Sequence, residues 1–167
     1  GVRPGLSASA ALALLPELEL LPREPQREER LLSKLAGLAL EFTPCVSIVR
    51  PAALLLEIGG SLKLFGDANS LRRRILDALG ERGPVARNAI APTARAACWL
   101  AYAQNGARIL DRVVLAGRLG ELRVAGLPWP EGRRRTLQEM GVDRLSDCVR
   151  LPRDGLTRRL GQGRTQA

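Results

Sequence analysis

The sequence predicts an α/β (α+β) fold, a small sheet with helices packed on it, followed by a short all-helical module. Three observations predict it. Two apolar runs, Val46 to Val49 and Leu54 to Ile58, flank Arg50-Pro51 and fit two paired strands of a buried sheet. Up to about Leu110, segments with apolar residues at helical spacing alternate with short apolar runs, the order expected for helices on a sheet. Beyond Leu110, glycine and arginine become frequent and strand signals stop.

The elements follow in order. Ser7 or Ser9 caps a short helix through Leu15, which Pro16 ends. Leu18 to Leu21 alternates weakly and reads as a short strand before Pro22. Glu24 to Phe42 is predicted as a helix, with its acidic residues early and Leu31, Leu32, Leu35, Leu38 and Ala39 near helical spacing. Asp67-Ala68-Asn69 introduces a helix over about Ser70 to Leu79, punctuated by Gly80 and Gly83-Pro84. Val85 to Ala91 reads as a strand, and Thr93 to Ala103 as an alanine-dense helix able to lie close to a sheet. Asn105-Gly106 is a strong turn signal before a short strand, Ala107 to Leu110. The helical module has one helix over Arg133 to Met140, a turn at Gly141-Val142-Asp143 and a second helix over Leu145 to Leu151. After Pro152, Thr157 to Leu160 starts a last short helix.

Composition bounds the function. The chain has 167 residues, room for one ordinary domain or two small ones. Its formal net charge is +9 and its isoelectric point is about 11.0. Such a charge fits either a solvated, arginine-rich surface or a polyanion partner. Histidine is absent, which removes the commonest general base and metal ligand. Cys45, Cys98 and Cys148 are too far apart for a zinc motif, and an odd count argues against a disulfide framework. They read as buried free thiols in a reducing cytosol. No apolar run reaches the roughly 18 residues of a membrane span. The chain starts abruptly at Gly1 without a secretory-signal pattern. No phosphate-loop pattern occurs, and Gly59-Gly60 is only a pair.

Several motifs together carry a resemblance. Arg50-Pro51-Ala52-Ala53-Leu54-Leu55-Leu56-Glu57-Ile58-Gly59-Gly60, running on to Leu64-Phe65-Gly66, resembles the palm strand of Y-family (UmuC/DinB-like) translesion DNA polymerases. Gly1 to Ser7 with Ala10 to Pro16 and Leu20-Leu21-Pro22 resembles the end of their fingers. Asn88 to Cys98, with Asn105-Gly106 downstream, resembles the strand and helix that supply a triphosphate-binding lysine. Leu137, Met140-Gly141-Val142, Leu145 and Cys148 resemble the helix–hairpin–helix of the thumb. The resemblance implies partial fingers over 1–22, a palm-like domain over 23–110 and a thumb-like DNA-binding module over 111–167. It also implies that a first metal-binding strand and the steric gate precede Gly1, and that a little finger and a partner-binding tail follow Ala167. Without its central upstream strand the palm sheet would have open apolar edges, so this span alone is expected to aggregate.

The resemblance also implies losses. The family's adjacent Asp-Glu pair, which holds catalytic magnesium, falls on Ala52 and Ala53, and the lysine falls on Cys98. Two-metal phosphoryl transfer uses metals about 3.5–4 Å apart, clamped by clustered carboxylates. Glu57 shares a strand face with Ala53 and Leu55 but lies four residues on, roughly 13 Å at ~3.3 Å per residue. It is expected to meet water or a nearby arginine. No catalytic residue, metal ligand or cofactor is therefore expected, and magnesium enters only if the metal site has been misregistered.

Such losses point to a non-catalytic branch of the family, the polymerase-like subunit of bacterial mutasomes. This implies a DNA-bound scaffold in DNA repair, translesion synthesis and damage-induced mutagenesis, in the cytoplasm at the nucleoid. Its implied partners in the intact protein are a sliding clamp, a RecA-like protein and an error-prone polymerase. DNA contacts would be sequence-independent, through Arg133, Arg134, Arg135, Gly141 and Arg144. Prolines 128 and 130 weaken the first hairpin of the module by removing donors. The arginine run has an equally simple reading as a solvated helix face, and Trp129 reads as a packing anchor rather than a base-stacking platform. Ser61 to Phe65 resembles a clamp-binding pentapeptide, but its place after the palm strand favours a structural role. Two alternatives stand beside the scaffold: an active error-prone polymerase, and a generic basic DNA-binding or interaction module.

Overall fold

The structure, a computed structural model, describes residues 1–2, 5–81 and 85–152. The short helix expected at Thr157 to Leu160 lies outside these residues. The first helix, α1 (Ala8–Leu14), starts where the Ser7 hydroxyl accepts the Ala10 N–H at 3.2 Å. Between α1 and the next helix the chain is irregular, and the strand expected at Leu18 to Leu21 does not form. Among the described residues nothing pairs with it, and Pro16 and Pro22 bracket it with residues that cannot donate to a ladder.

Helix α2 (Pro25–Ala39) opens with proline at its first position, where a missing N–H costs nothing. It stops three residues before Phe42. Thr43 precedes a proline, which disfavours helical backbone, and its buried hydroxyl is held between two strand-end groups. That hydroxyl donates to the Glu57 carbonyl and accepts the Cys45 N–H at 3.2 Å. Phe42, just past the helix, packs against Phe65 with ring centroids 5.8 Å apart.

Strands β1 (Val46–Val49) and β2 (Ala53–Leu56) pair antiparallel, from Val46 opposite Leu56 to Val49 opposite Ala53. Residues 50–52 form the connection, which contains a cis Arg50–Pro51 bond. Past β2 the Glu57 N–H still bonds the Cys45 carbonyl at 3.0 Å, and then a 3₁₀ turn at Gly59–Ser61 leads into the one-turn α3 (Leu62–Phe65). Gly66 ends that turn with φ +88°, a backbone shape that glycine adopts without steric cost. Helix α4 (Ala68–Gly80) is capped by Asp67, which accepts the Asn69 and Ser70 N–H groups at 2.7 and 3.3 Å. α2 packs on both β1 and β2, and α4 packs against α2.

A second pair is smaller than the sequence suggests. β3 (Ala89–Ile90) and β4 (Ala107–Arg108) are parallel, with α5 (Ala94–Ala103) crossing between them. The expected strands Val85 to Ala91 and Ala107 to Leu110 shrink to two residues each, because a ladder extends only as far as both partners run alongside. Val85 is 99% exposed and pairs with nothing described. The sheet is therefore two separate pairs. Helix α5 contacts both β2 and β3, which places both pairs against one helix.

The helical module begins with a helix that the glycine- and arginine-rich sequence conceals. α6 (Arg112–Gly120) is capped by Asp111, whose carboxylate accepts the Val113 N–H at 2.7 Å. A 3₁₀ turn at Val124–Gly126 then leads to α7 (Glu131–Glu139) and α8 (Leu145–Arg150). The main hydrophobic core runs through both parts of the chain: Ala96 and Leu100 of α5 pack with Ile109, Leu115, Leu122 and Leu127. A second core of Val124, Leu137 and Val142 closes the α7–α8 hairpin. Trp129 packs against both cores and meets Trp99 edge to face at 5.7 Å, the anchoring role expected of it. The three cysteines are free, but burial fits them unevenly: Cys98 and Cys148 are half-buried while Cys45 is exposed.

Candidate functional site

The positions where the resemblance puts a metal-holding pair lie at the start of β2. Ala52 is exposed in the connection after Pro51, and Ala53 is the first residue of the strand, paired with Val49. Both present only methyl groups. The next two acidic side chains after Ala53 in the chain, Glu57 and Asp67, are committed elsewhere. Glu57 turns forward, and its carboxylate accepts the N–H of Gly59 at 2.7 Å and of Gly60 at 3.4 Å. Glu57 is exposed at the strand end, as expected, and its carboxylate meets backbone N–H groups rather than an arginine. A β-carbon on Gly59 would sit 2.8 Å from that carboxylate, so glycine at 59 is what lets the cap form. Asp67 caps α4 and also accepts the Ser70 hydroxyl at 2.7 Å. That bond first, and the Asn69 and Ser70 N–H groups after it, hold its carboxyl below the ordinary aspartate range. These residues do not fit a magnesium pair, since paired carboxylates are the donor set such a centre uses. Among the described residues no three His, Cys, Asp or Glu side chains gather closely enough to hold a metal ion.

Cys98 lies in the middle of α5, where the resemblance puts a lysine. Its side chain is half-buried beside the main core, and that burial raises the thiol pKa. A neutral thiol carries no charge toward a triphosphate. Arg95, one turn earlier on α5, is exposed.

The α7–α8 hairpin shows where the other predicted residues sit. Gly141 has φ +75° and forms the left-handed end of α7. Its N–H bonds the Gln138 carbonyl at 2.9 Å, and the Val142 N–H bonds the Leu137 carbonyl at 2.9 Å. This is the Schellman arrangement, completed by the buried Leu137–Val142 contact. The Arg144 N–H donates to the Asp147 carboxylate at 2.9 Å, and the Leu145 N–H to the Leu122 carbonyl at 2.9 Å. Four N–H groups around this hairpin are therefore consumed within the protein.

The arginine side chains here differ from one another. Arg134 is half-buried, donates to the Ala125 carbonyl at 3.2 Å and pairs with Glu131, which ties α7 to the preceding 3₁₀ turn. Arg135 pairs with Glu139 one turn on, at 3.0 Å and largely exposed, a geometry worth little to stability. Arg133 and Arg144 have no carboxylate partner among the described residues, although Arg144 lies beside the Arg123–Asp143 pair. Leu62 to Phe65, the core of the clamp-like pentapeptide, is a helical turn. Its Phe65 ring is engaged by Phe42 and by Arg74, 6.0 Å above it, while Leu64 is 80% exposed.

Helices on short strands, with a helical module sharing the core, define the class: the fold is that of Y-family DNA polymerases. The crystal structure of DinB from Sulfolobus solfataricus superposes with a TM-score of 0.74 at 19% identity, over 97% of this chain and 49% of that one. An insertion ternary complex of Dbh DNA polymerase gives 0.71 at 19% identity, over 96% and 48%. No protein-family profile matches the chain. Within that fold the chain is a homologue of ImuB: it is 31% identical over 161 residues, 96% of its length, to Protein ImuB of two strains of Caulobacter vibrioides. It spans 35% of the length of those curated relatives. No helix among the described residues is long and apolar enough to cross a membrane.

Proposed function

We propose that the intact protein is a polymerase-fold scaffold that sits on DNA during damage tolerance and adds no nucleotides itself. The observation that carries this reading is the pair of methyl groups at Ala52 and Ala53, with Glu57 and Asp67 both spent on capping backbone N–H groups. Phosphoryl transfer is catalysed almost wholly by positioning and charge stabilisation, so a palm without its metal ligands keeps the shape and loses the chemistry. The likeness to ImuB supports a place in translesion synthesis and damage-induced mutagenesis.

On this reading the protein works in the cytoplasm at the nucleoid. It would bring a sliding clamp, a RecA-like protein and an error-prone polymerase to the lesion, through regions beyond this span. Its DNA contacts would be to the backbone, hence salt-dependent and indifferent to sequence. Primer extension by the intact protein tests the reading, with magnesium and with manganese. No incorporation is expected from the wild type. Incorporation that is lost in Glu57→Ala would establish an active polymerase and overturn the scaffold.

A further inference from the structure

The positive charge of this chain is not concentrated where the thumb resemblance would put it. Every ion pair among the described residues joins partners within 23–50 or within 118–143. Between residues 62 and 117 the described residues include eight lysines and arginines against four aspartates and glutamates, and none of these cations has a carboxylate within 4.0 Å. Two of those four acids, Asp67 and Asp111, are helix caps. Over 118–150, seven arginines face five acids, and four of the arginines are paired. Local charge balance, rather than the overall +9, decides where a polyanion settles, and it favours the earlier stretch.

Within it, three arginines lie at the Gly106 turn, one through a hydrogen bond and two by their place in the chain. Arg72 reaches from α4 and donates from Nη1 to the Gly106 carbonyl at 3.0 Å, which fixes one guanidinium at the turn. Arg108 is exposed on β4, two residues beyond Gly106, so its Cα lies within ~7 Å along the strand. Arg87 is exposed and directly precedes Asn88, whose carbonyl accepts the Gly106 N–H at 2.7 Å. The turn itself is held firmly: the Asn88 N–H donates to Asn105 Oδ1 at 2.8 Å, and Gly106 has φ +81°. The site stands at the beginning of both parallel strands, and therefore at the other end of β3 from the start of α5.

We propose that Arg72, Arg87 and Arg108 around the Gly106 turn form a second, sequence-independent contact for a nucleic-acid backbone. Arginine forks match phosphate geometry, and a nucleic-acid strand offers a denser and more regular line of charge than an acidic protein surface. Of the aromatic residues between Arg72 and Arg108 in the chain, Trp99 packs against the main core and Tyr102 lies on α5, so the proposed contact is made to phosphate by the arginines. The choice of nucleic acid rests on the DNA-bound reading of the intact protein; the placement rests on the charge and hydrogen bonds alone.

The test is the salt dependence of binding of a fluorescent single-stranded DNA and a duplex to the intact protein. Wild type is compared with Arg87→Gln/Arg108→Gln and with a control of equal charge change on α2, Arg30→Gln/Lys34→Gln. Arg72 is left in place because it braces the turn. The expected result is a salt slope shallower by about 1.4 for the single strand and about 1.8 for the duplex, with the control at the wild-type slope. An unchanged slope, or an equal change in the control, overturns the proposal while leaving the scaffold reading intact. A wild type that binds no DNA overturns both. Variants that keep the DNA slope but lose binding to poly-glutamate would assign the site to an acidic protein, and that too overturns it.

Discussion

Trp129 offers the sharpest separation between a structural and a nucleic-acid role. It packs against both hydrophobic cores and meets Trp99 edge to face at 5.7 Å with planes 86° apart. Removing a buried tryptophan side chain costs about 3–5 kcal/mol. Trp129 is half-buried, so Trp129→Ala should cost about 3 kcal/mol, the low end of that range. Of this, about 0.5–1.5 kcal/mol belongs to the aromatic pair itself. A cycle of Trp99→Ala, Trp129→Ala and the double variant in the intact protein, read by urea unfolding, isolates that portion. DNA affinity in native buffer should be unchanged. A base-stacking tryptophan would behave in the opposite way, with unfolding unaffected and affinity down by about 1–3 kcal/mol. Strict additivity of the two single variants, or that reversed pattern, refutes the packing argument.

Further expectations can be checked in the same way. Gly141→Ala forces a non-glycine residue to φ +75° and should cost about 1–2 kcal/mol in unfolding experiments, although a β-carbon there would meet no neighbour; Gly141→Asn should cost less. Asp67 has its carboxyl held low in the folded state, so its stabilisation is complete above the ordinary aspartate pKa of about 4 and fades as pH falls through the lower folded value. Asp67→Ala should flatten that part of the acid-unfolding profile, as tracked by circular dichroism. Cys45 is exposed while burial raises the pKa of Cys98 and Cys148, so peptide mapping after a short maleimide pulse should find Cys45 modified roughly ten times faster.

Much of the fold is legible in the residues because caps and periodicity act locally. Ser7, Asp67 and Thr93 start helices where such side chains are expected to, and Arg50-Pro51 marks the connection of the β1–β2 pair. What escapes local reading depends on partners distant in sequence. Leu18 to Leu21 has strand-like alternation but no ladder to join, and the strands around α5 end where their neighbours do. Helix α6 hides because two glycines and the exposed Val113 and Val114 blur its period, while its cap, Asp111, is the signal that would have found it. That β2 opens at Ala53, just after Pro51 and Ala52, follows from the apolar run after the proline. That Glu57 folds forward onto Gly59 and Gly60 does not, because strand alternation says nothing about a side chain at the strand's last step. Likewise the arginine run 133–135 looks uniform in sequence, and only the packing of α7 against the Val124–Gly126 turn separates Arg134 from its neighbours.

The core that joins Leu100 to Leu122 and Leu127 sets where this protein can be cut. A boundary drawn near residue 110, where the composition changes, would strip α5 of its cover and leave Leu100, which is 0% exposed, facing water on one piece. Leu127, 1% exposed, would be orphaned on the other. At about 1.5–3 kcal/mol for each large apolar side chain laid bare, neither half would keep its shape. Split reporters, truncations and domain swaps built on this fold should therefore carry residues 94–151 as one inseparable block.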